Sequence, residues 1–371
     1  MYKVIVFIFL ILQIISIKAS NYITTLQVLD DDSIISGKLL SNDNNFMVIA
    51  PDHKTIKNVS ISLTGKTKFN PNGTNYNNVY VNPVNPKEMY ASIAGIQGGF
   101  YYSINEGMSW SELHVKNQYD YYPSYYIDID IDPYNFNKIY IKTVNGKIYS
   151  SNDGGQNFKN ITKSLDGYFF STKVKNLFVH PKKTNHLTIT TDYGLYESNN
   201  YGKNWSLVNS RNDFEDIIKD INNDGTFYLT NKNYELEKST DGAHTFTKIN
   251  TDVKIFGIFQ NNETGEKFAS TYVLDKKGYI SGMGVIKITE SDNSLDIFIP
   301  IKEDQYITNI SFNKNEPNKV YISDLNGITI FNTISKNIIE NIKFDNKSSI
   351  KSSNFSKKKI KITDLKSVKN N

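Results

Sequence analysis

The phrase SINEGMSW at 103–110 recurs as SNDGGQNF at 151–158, SNNYGKNW at 198–205 and STDGAHTF at 239–246. Its skeleton is Ser-x-Asp/Asn-x-Gly-x-x-aromatic, and the successive aromatic residues lie 48, 47 and 41 residues apart. A period of roughly 40–50 residues in a strand-rich chain is typical of a radially repeated β-architecture. We therefore predict an all-β fold, a β-propeller of four-stranded blades.

Each residue type in the phrase suits a tight hairpin turn. The Ser and the Asp or Asn can hydrogen-bond nearby backbone groups, Gly supplies a positive φ, and the aromatic ring buries apolar area beneath the hairpin. Ala243 replaces the Gly in the fourth copy, so we expect that turn to be less strained or differently shaped. The predicted turn-building residues are Ser103, Asn105, Gly107, Trp110, Ser151, Asp153, Gly155, Phe158, Ser198, Asn200, Gly202, Trp205, Ser239, Asp241 and Phe246.

The repeat extends upstream of the phrase. Pro83, Pro133 and Pro181 each belong to a turn before a strand, and they lie 50 and 48 residues apart. The segment FNKNEPNKVYISDLNGITIF at 312–331 repeats this first half without the phrase. A second strand leads into the phrase at 98–103, 146–151 and 194–199.

The phrase resembles the Asp-box (BNR) repeat, and the order of its surrounding strands is similar to blades of the Vps10/sortilin propeller. The resemblance is clear over 79–252 and weak over 253–342, while 20–78 contains no copy of the box. It implies a propeller with Asp-box hairpins that holds a peptide or protein ligand on the wall of its central tunnel. Sialidases and xyloglucanases share the Asp-box, so the repeat alone leaves the activity open.

Chain length predicts the number of blades. About 320 residues between the two ends, divided by a period of roughly 46, give about seven units. Sortilin-type receptors have ten blades, for which this chain has no room. We place the predicted blades at 23–70, 79–116, 127–164, 174–211, 214–252, 255–304 and 306–342.

The N-terminus predicts a signal peptide at 1–19. Lys3 precedes the apolar run VIVFIFLILQIISI at 4–17, and Ala19 is a small residue suited to cleavage. We expect the propeller, at 20–342, to be secreted or to lie in the lumen of the secretory or endosomal pathway, with no transmembrane segment after cleavage. An uncleaved signal anchor is the alternative. Eight Asn-x-Ser/Thr sequons permit glycosylation.

Charge is distributed unevenly along the chain. The segment 343–371 holds nine Lys and two Asp, whereas the whole chain carries a net charge of +4. We expect this segment to be a disordered lysine-rich tail, which leaves the propeller slightly acidic. An acidic folded part argues against nucleic acid as a partner. The chain has no Cys, so its core must hold without disulfides.

The residue inventory favours binding over catalysis. The chain has one arginine, Arg211, whereas Asp-box sialidases bind the substrate carboxylate through three. A xyloglucanase-like glycoside hydrolase, or a carbohydrate-binding propeller, is the alternative, with Asp192, Asp128 and Asp130 as candidate carboxylates. The segment 220–231 resembles a calcium loop but ends in Asn, so we expect a plain turn there. We expect no catalytic residues, no metal site and no cofactor.

One segment is a candidate contact surface. YDYYPSYYIDIDIDP at 119–133 places several tyrosines in the link between two predicted blades, and tyrosine offers a large contact area at low entropy cost. The candidate ligand-binding residues are Tyr121, Tyr122, Tyr125 and Tyr126, with core or rim packing as the alternative. The sequence thus predicts a sortilin-like binding module for a peptide or protein, with a glycan as the second possible ligand.

Overall fold

The computed structural model describes residues 22–39, 45–60, 75–82, 85–94, 99–113, 126–132, 134–143, 145–166, 172–249, 251, 253–274, 280–289, 295–303, 305–324 and 327–344. The expected signal peptide lies outside these residues, as does the expected tail beyond its first two positions. Within the described part, 28 strands and one 3₁₀ turn, Lys163–Leu165, make up the regular structure. The strands form seven antiparallel sheets of four, so the predicted seven-bladed all-β propeller is confirmed.

Each blade consists of four consecutive strands. Blade 1 is β1 (Tyr22–Val28), β2 (Ile34–Leu39), β3 (Asn45–Ile49) and β4 (Ile56–Ser60). Blade 2 is β5 (Asn75–Val81), β6 (Met89–Ala94), β7 (Gly99–Ser103) and β8 (Ser111–Leu113). Blade 3 is β9 (Tyr126–Asp132), β10 (Asn135–Thr143), β11 (Ile148–Ser151) and β12 (Lys159–Asn160). Blade 4 is β13 (Val174–Val179), β14 (Leu187–Thr191), β15 (Gly194–Ser198) and β16 (Ser206–Asn209).

The last three blades follow the same order. Blade 5 is β17 (Phe214–Lys219), β18 (Phe227–Asn231), β19 (Leu236–Ser239) and β20 (Thr247–Lys248). Blade 6 is β21 (Lys254–Gln260), β22 (Lys267–Leu274), β23 (Ile280–Ile288) and β24 (Leu295–Glu303). Blade 7 is β25 (Asn309–Phe312), β26 (Lys319–Ser323), β27 (Gly327–Asn332) and β28 (Ile338–Lys343). No helix in this described part is long and apolar enough to cross a bilayer.

The first strand of each blade lies innermost. Strand β1 contacts both β5 and β25, and β13 contacts both β9 and β17, so first strands meet around the central axis. Six of these seven strands shift register within their first four residues, at the equivalent place in each blade. Because a β-bulge increases local twist, the shared bulge gives successive blades a common twist near the axis.

Apolar and aromatic side chains fill the spaces between blades. Phe46 of blade 1 meets Trp110 of blade 2 edge to face, with 6.3 Å between ring centroids. A fully buried tyrosine recurs at the same position of the second strand in four blades: Tyr90, Tyr140, Tyr228 and Tyr321. The abundant tyrosine of this chain is therefore used in part as core.

Blade 7 meets blade 1 without sharing a strand, because each sheet is made of consecutive strands. Leu26 and Ile34 of blade 1 form one buried cluster with Tyr321, Ile328 and Phe344 at the other end of the chain. We call this junction the 7/1 seam. Side-chain contacts, and not backbone pairing, close the ring here.

Candidate functional site

The four repeated turns share one hydrogen-bond pattern. The Ser Oγ accepts the backbone N–H four residues later at 2.9–3.0 Å, and these serines are at most 2% exposed. The Oδ1 of the Asp or Asn accepts the N–H four residues after it at 2.9 Å. These polar side chains are therefore engaged within their own turns.

The same two positions of every copy have a positive φ. The pairs are Glu106 and Gly107, Gly154 and Gly155, Tyr201 and Gly202, and Gly242 and Ala243. Ala243 has a φ of 68°, near the 78° of Gly202, and its N–H bonds Ser239 as in the other copies. The expectation of a less strained or differently shaped fourth turn is wrong. Its shape is kept, and an Ala carries a conformation that suits Gly.

These turns also join each blade to the one before it. Trp205 Nε1 donates to the carbonyl oxygen of Ile161, in the link that follows blade 3, at 2.8 Å. Gly202 approaches the same residue so closely that a Cβ there would lie 2.6 Å from Ile161 Cδ1. The turn of blade 4 therefore packs directly on blade 3.

The predicted tyrosine surface lies largely outside the described residues. Tyr121, Tyr122 and Tyr125 are outside them, and Tyr126 begins β9, where its backbone pairs with Thr143. The alternating Ile and Asp residues that follow form the innermost strand of blade 3, as the sequence pattern predicts for a strand.

The candidate carboxylates for hydrolysis have other contacts. Asp192 is half exposed and lies 3.5 Å from Lys175 Nζ. Asp130 Oδ1 accepts the backbone N–H of Ile131 at 3.0 Å. Asp128 pairs with Lys142 in the sheet through its backbone. The carboxylates of Asp192 and Asp130 thus each have a structural contact of their own.

Arg211 is fully occupied by two carboxylates. Its guanidinium donates to Asp213 at 2.9–3.0 Å and to Glu237 at 2.7 and 3.2 Å. The cation also lies over the rings of Phe214 and Phe246, 5.5 and 5.6 Å from their centroids. The hydrogen bonds that Arg211 donates to Glu237 and Asp213 raise its pKa. The one guanidinium of this chain is therefore committed to blade 5.

The calcium-like segment is a turn with internal partners. Residues 220–226 connect β17 to β18, and Asp220 forms a buried ion pair with Lys267 of blade 6 at 2.8 Å. Asp224 pairs with Lys183 of blade 4. No group of three or more potential metal ligands occurs among the residues that the structure describes.

An open groove of about 840 Å³ lies between blades 3 and 4. Phe158 and Lys159 line its blade 3 side, while Tyr201 and Lys203 line its blade 4 side. Asp153 is the one carboxylate in this lining. The four lysines of the groove are Lys138, Lys159, Lys163 and Lys203.

Asp153 does not neutralise these lysines. Its carboxylate accepts hydrogen bonds from Ser151 Oγ at 2.7 Å and from Asn157 Nδ2 at 2.8 Å, within its own turn. The bonds from Asn157 and Ser151 hold the pKa of Asp153 below its ordinary value, so the carboxylate is committed there as an anion. The groove is therefore cationic, in a chain whose residues 1–342 carry a net charge of −3.

Lys138 is the buried cation of the groove. The residue is 6% exposed, and its Nζ donates to the side-chain oxygen of Asn152 at 2.5 Å. The ammonium also lies 5.1 Å from the ring centroids of both Tyr140 and Tyr201. No carboxylate of the described residues forms an ion pair with it. Burial lowers the pKa of Lys138, Asp132 partly offsets this, and Lys203 adds to it.

Tyr201 forms the exposed edge of this arrangement. It adopts a φ of 60° in the turn of blade 4, a conformation that is uncommon for a bulky residue. Its ring covers Lys138 and is still 39% exposed. A ligand in the groove can thus meet an aromatic face beside a buried ammonium.

Sequence reasoning did not find these groove residues. Two turns that lie about one repeat apart in the chain come together to build the groove, and lysine is common throughout the sequence. A usable signal was the alignment of Lys-Ile-Tyr at 138–140 with Lys-Val-Tyr at 319–321, which places the two lysines at one blade position.

Known proteins share this fold at low sequence identity. A GH74 enzyme from Niastella koreensis matches with a TM-score of 0.62 and 13% identity, over 86% of this chain and 53% of that one. A structure described as YCF48 bound to D1 peptide matches with a TM-score of 0.59 and 13% identity, over 85% and 94%. The GH74 xyloglucanase from Xanthomonas campestris matches with a TM-score of 0.59 and 11% identity, over 86% of this chain and 53% of that one.

These likenesses show the fold alone. This chain spans about half the length of the two GH74 chains and covers nearly all of the YCF48 chain. No family model matches the sequence, and no curated protein is significantly similar to it. The function therefore has to be argued from the groove itself.

Proposed function

We propose that this chain is a sortilin-like binding propeller, secreted or luminal, whose ligand is a peptide or a segment of another protein. The observation that carries the proposal is the open, lysine-lined groove between blades 3 and 4. Its volume of about 840 Å³ falls within the range of ligand sites, about 300–1,000 Å³.

The chemistry of the groove suits a peptide better than a neutral polysaccharide. Four ammonium groups have no counterpart on an uncharged glucan, whereas a peptide can supply carboxylates, carbonyl oxygens and apolar side chains together. Tyr201 and Phe158 add aromatic surface for such side chains. A fold neighbour that was captured with a peptide, the YCF48 structure, agrees with this use of a propeller.

The contacts of the candidate carboxylates give less support to hydrolysis. A glycosidase needs two carboxyl groups about 5–10 Å apart, facing each other across the substrate. Asp192 lies beside Lys175, and Asp130 accepts a backbone N–H of its own strand. The groove itself holds one carboxylate, Asp153, which its own turn engages.

The test compares two ligand classes on the full purified chain. The chain is immobilised and exposed in parallel to short peptides of varied charge and to neutral glycans that include xyloglucan oligosaccharides. We expect saturable binding of some peptides and no binding of neutral glycans. Lys159→Glu in the groove should weaken peptide binding, whereas Lys232→Glu, on an exposed turn of blade 5, should not.

Two results would contradict the proposal. One is a failure of every peptide to bind under conditions in which the chain is folded. The other is release of reducing ends from xyloglucan by the wild-type chain, with loss of that activity in Asp192→Asn.

A further inference from the structure

Two junctions of the ring place equivalent residues side by side. Lys138 in blade 3 and Lys319 in blade 7 each stand two residues before a buried tyrosine of the second strand, Tyr140 and Tyr321. The next blade presents a residue with positive φ to each junction, Tyr201 in one case and His53 in the other. The structure thus allows the two junctions to be compared position by position.

At the 7/1 seam, carboxylates surround the lysine. Lys319 Nζ lies 3.1 Å from Asp32 Oδ2 and also pairs with Glu316. Tyr321 donates its hydroxyl to Asp32, and Glu340 lies 2.7 Å from His53 Nδ1. Asp32 and Glu340 therefore supply negative charge from both sides of the seam.

At the junction of blades 3 and 4, lysine stands where the seam has glutamate. Lys159 pairs across the sheet with Ser150, which pairs with Tyr140. Glu340 pairs with Ile330, which pairs with Tyr321. By register, Lys159 and Glu340 hold the same position in their blades.

Among the described residues, no carboxylate forms an ion pair or hydrogen bond with the buried groups of this junction, and Asp132 acts on Lys138 only through its charge at longer range. Lys138 bonds to an amide oxygen, and no carboxylate among the described residues pairs with it. The hydroxyl of Tyr140 is buried and has no hydrogen-bond partner among the described residues, whereas Tyr321 donates its hydroxyl to a carboxylate. A buried ammonium gains most from a carboxylate, because charge-assisted hydrogen bonds are about twice as strong as neutral ones.

We propose that the groove binds an acidic peptide segment, whose carboxylate meets Lys138 as Asp32 meets Lys319 at the 7/1 seam. This inference rests on the proposed function and names its ligand class. Exposed Lys159 and Lys203 then attract further acidic side chains, while Tyr201 contacts the apolar part of the peptide. The ion pair of Lys319 with Asp32 at the 7/1 seam thus shows the kind of contact that we expect between Lys138 and the peptide.

The experiment uses three labelled peptides of equal length that differ only in one residue type, with Glu, Gln or Lys at the variable positions. Binding to the full chain is measured by fluorescence anisotropy. We expect the Glu peptide to bind at least about 10-fold more tightly than the Gln peptide, as a hydrogen bond to a charged group predicts. The Lys peptide should show no binding. Affinity for the Glu peptide should fall as salt is added, because exposed lysines are screened.

Three variants locate the effect. Lys138→Met should reduce affinity for the Glu peptide about 10- to 100-fold and leave the weak Gln affinity unchanged. Lys159→Glu places a carboxylate at the position of Glu340 and should abolish Glu-peptide binding while the chain stays folded. Lys232→Glu makes the same charge reversal away from the groove and should preserve affinity, and melting curves verify the fold of each variant.

Several results would overturn the inference. Equal affinity for the Glu and Gln peptides would refute the acidic ligand and leave peptide binding intact. Normal Glu-peptide binding by Lys159→Glu would refute the groove as the site. Tighter binding of a sulfated oligosaccharide than of the Glu peptide would assign the groove to anionic glycans. Failure of all three peptides to bind would refute the proposed function as well.

Discussion

The junction of blades 3 and 4 and the 7/1 seam place equivalent residues of the repeat in different surroundings. Both contain a lysine two residues before a buried tyrosine, and both receive a positive-φ turn residue from the next blade. At the 7/1 seam, Asp32 and Glu340 supply carboxylates. The junction of blades 3 and 4 has Lys159 and an open groove instead. A repeat fold can thus pair a buried cation with carboxylates at one junction and leave it without such an ion pair, among the described residues, at another.

The two lysines respond to their surroundings in opposite ways. Burial lowers the pKa of Lys138, and the charge of Asp132 offsets this only in part. Burial also acts on Lys319, but the hydrogen bonds that it donates to Glu316 and Asp32 outweigh burial and raise its pKa above the ordinary 10.5. The charge of Lys319 therefore stabilises the fold, while that of Lys138 costs free energy.

The largest effect should follow removal of the ring that ties blade 4 to blade 3. Trp205→Ala deletes a half-buried indole and its bond to the Ile161 carbonyl, so we expect about 3 kcal/mol of lost stability. Urea denaturation measures the change. Ser198→Ala in the same turn should cost nearer 1 kcal/mol. An unchanged unfolding midpoint for Trp205→Ala would show that the junction does not depend on this contact.

Breaking the seam should come next in size. Asp32→Asn removes the carboxylate that Tyr321, Asn313 and Lys319 share, and we expect a loss of about 2–3 kcal/mol at neutral pH. Glu316→Gln, which spares Asp32, is the control and should cost less than about 1 kcal/mol, because Glu316 is half exposed.

Asp32→Asn should also change how the stability of the fold depends on pH in acid. Burial alone would raise the pKa of Asp32, but hydrogen bonds from Tyr321, Asn313 and Lys319 lower it below its ordinary 3.8. A depressed carboxyl pKa stabilises the fold above the unfolded-state value, and this stabilisation is lost as pH falls through the folded-state value. Asp32→Asn should therefore flatten the stability curve below about pH 4, and an unaltered curve would contradict the assignment.

A third test separates backbone strain from contact between blades. Gly202→Ala forces an Ala to a φ of 78° and drives its Cβ against Ile161, so we expect about 2 kcal/mol of destabilisation. Gly242→Ala has a similar φ of 76° but meets its nearest atom at 3.8 Å, so about 1 kcal/mol is expected. Equal destabilisation of the two variants in thermal melts would show that Ile161 moves aside at no cost in stability.

The smallest effect should distinguish the two lysines directly. Lys138→Met should change stability at neutral pH by less than about 1 kcal/mol, because two effects oppose each other. Removing a desolvated charge that has no carboxylate partner among the described residues stabilises the fold, and losing its cation–π contacts destabilises it. Lys319→Met should cost about 1–2 kcal/mol, because Asp32 is left unpaired. As pH rises towards 10.5, the penalty from Lys138 should be relieved, while the contribution of Lys319 should persist until its higher pKa is passed. The reverse ranking of the two variants would refute the comparison.

The fold was predictable because local turn chemistry repeats along the chain at a fixed period. The spacing of Trp110, Phe158 and Trp205 gives the length of one blade, from which the number of blades follows. Even the blades without the phrase have strands near the predicted positions. The shape of the fourth turn was not predictable from Ala243, since its φ is imposed by the bonds of Ser239 and by packing on blade 4. The groove was missed for a related reason. Its lysines become neighbours only when two blades stack.

The closure of the ring by side chains has a consequence for how such a chain can vary. Each blade is a continuous stretch of sequence, and among the described strands no sheet is completed by one from the far end of the chain. A whole blade can therefore be duplicated or deleted without cutting a sheet in two. The buried cluster that Leu26 shares with Phe344, and the ion pair of Asp32 with Lys319, would then determine which ring sizes close.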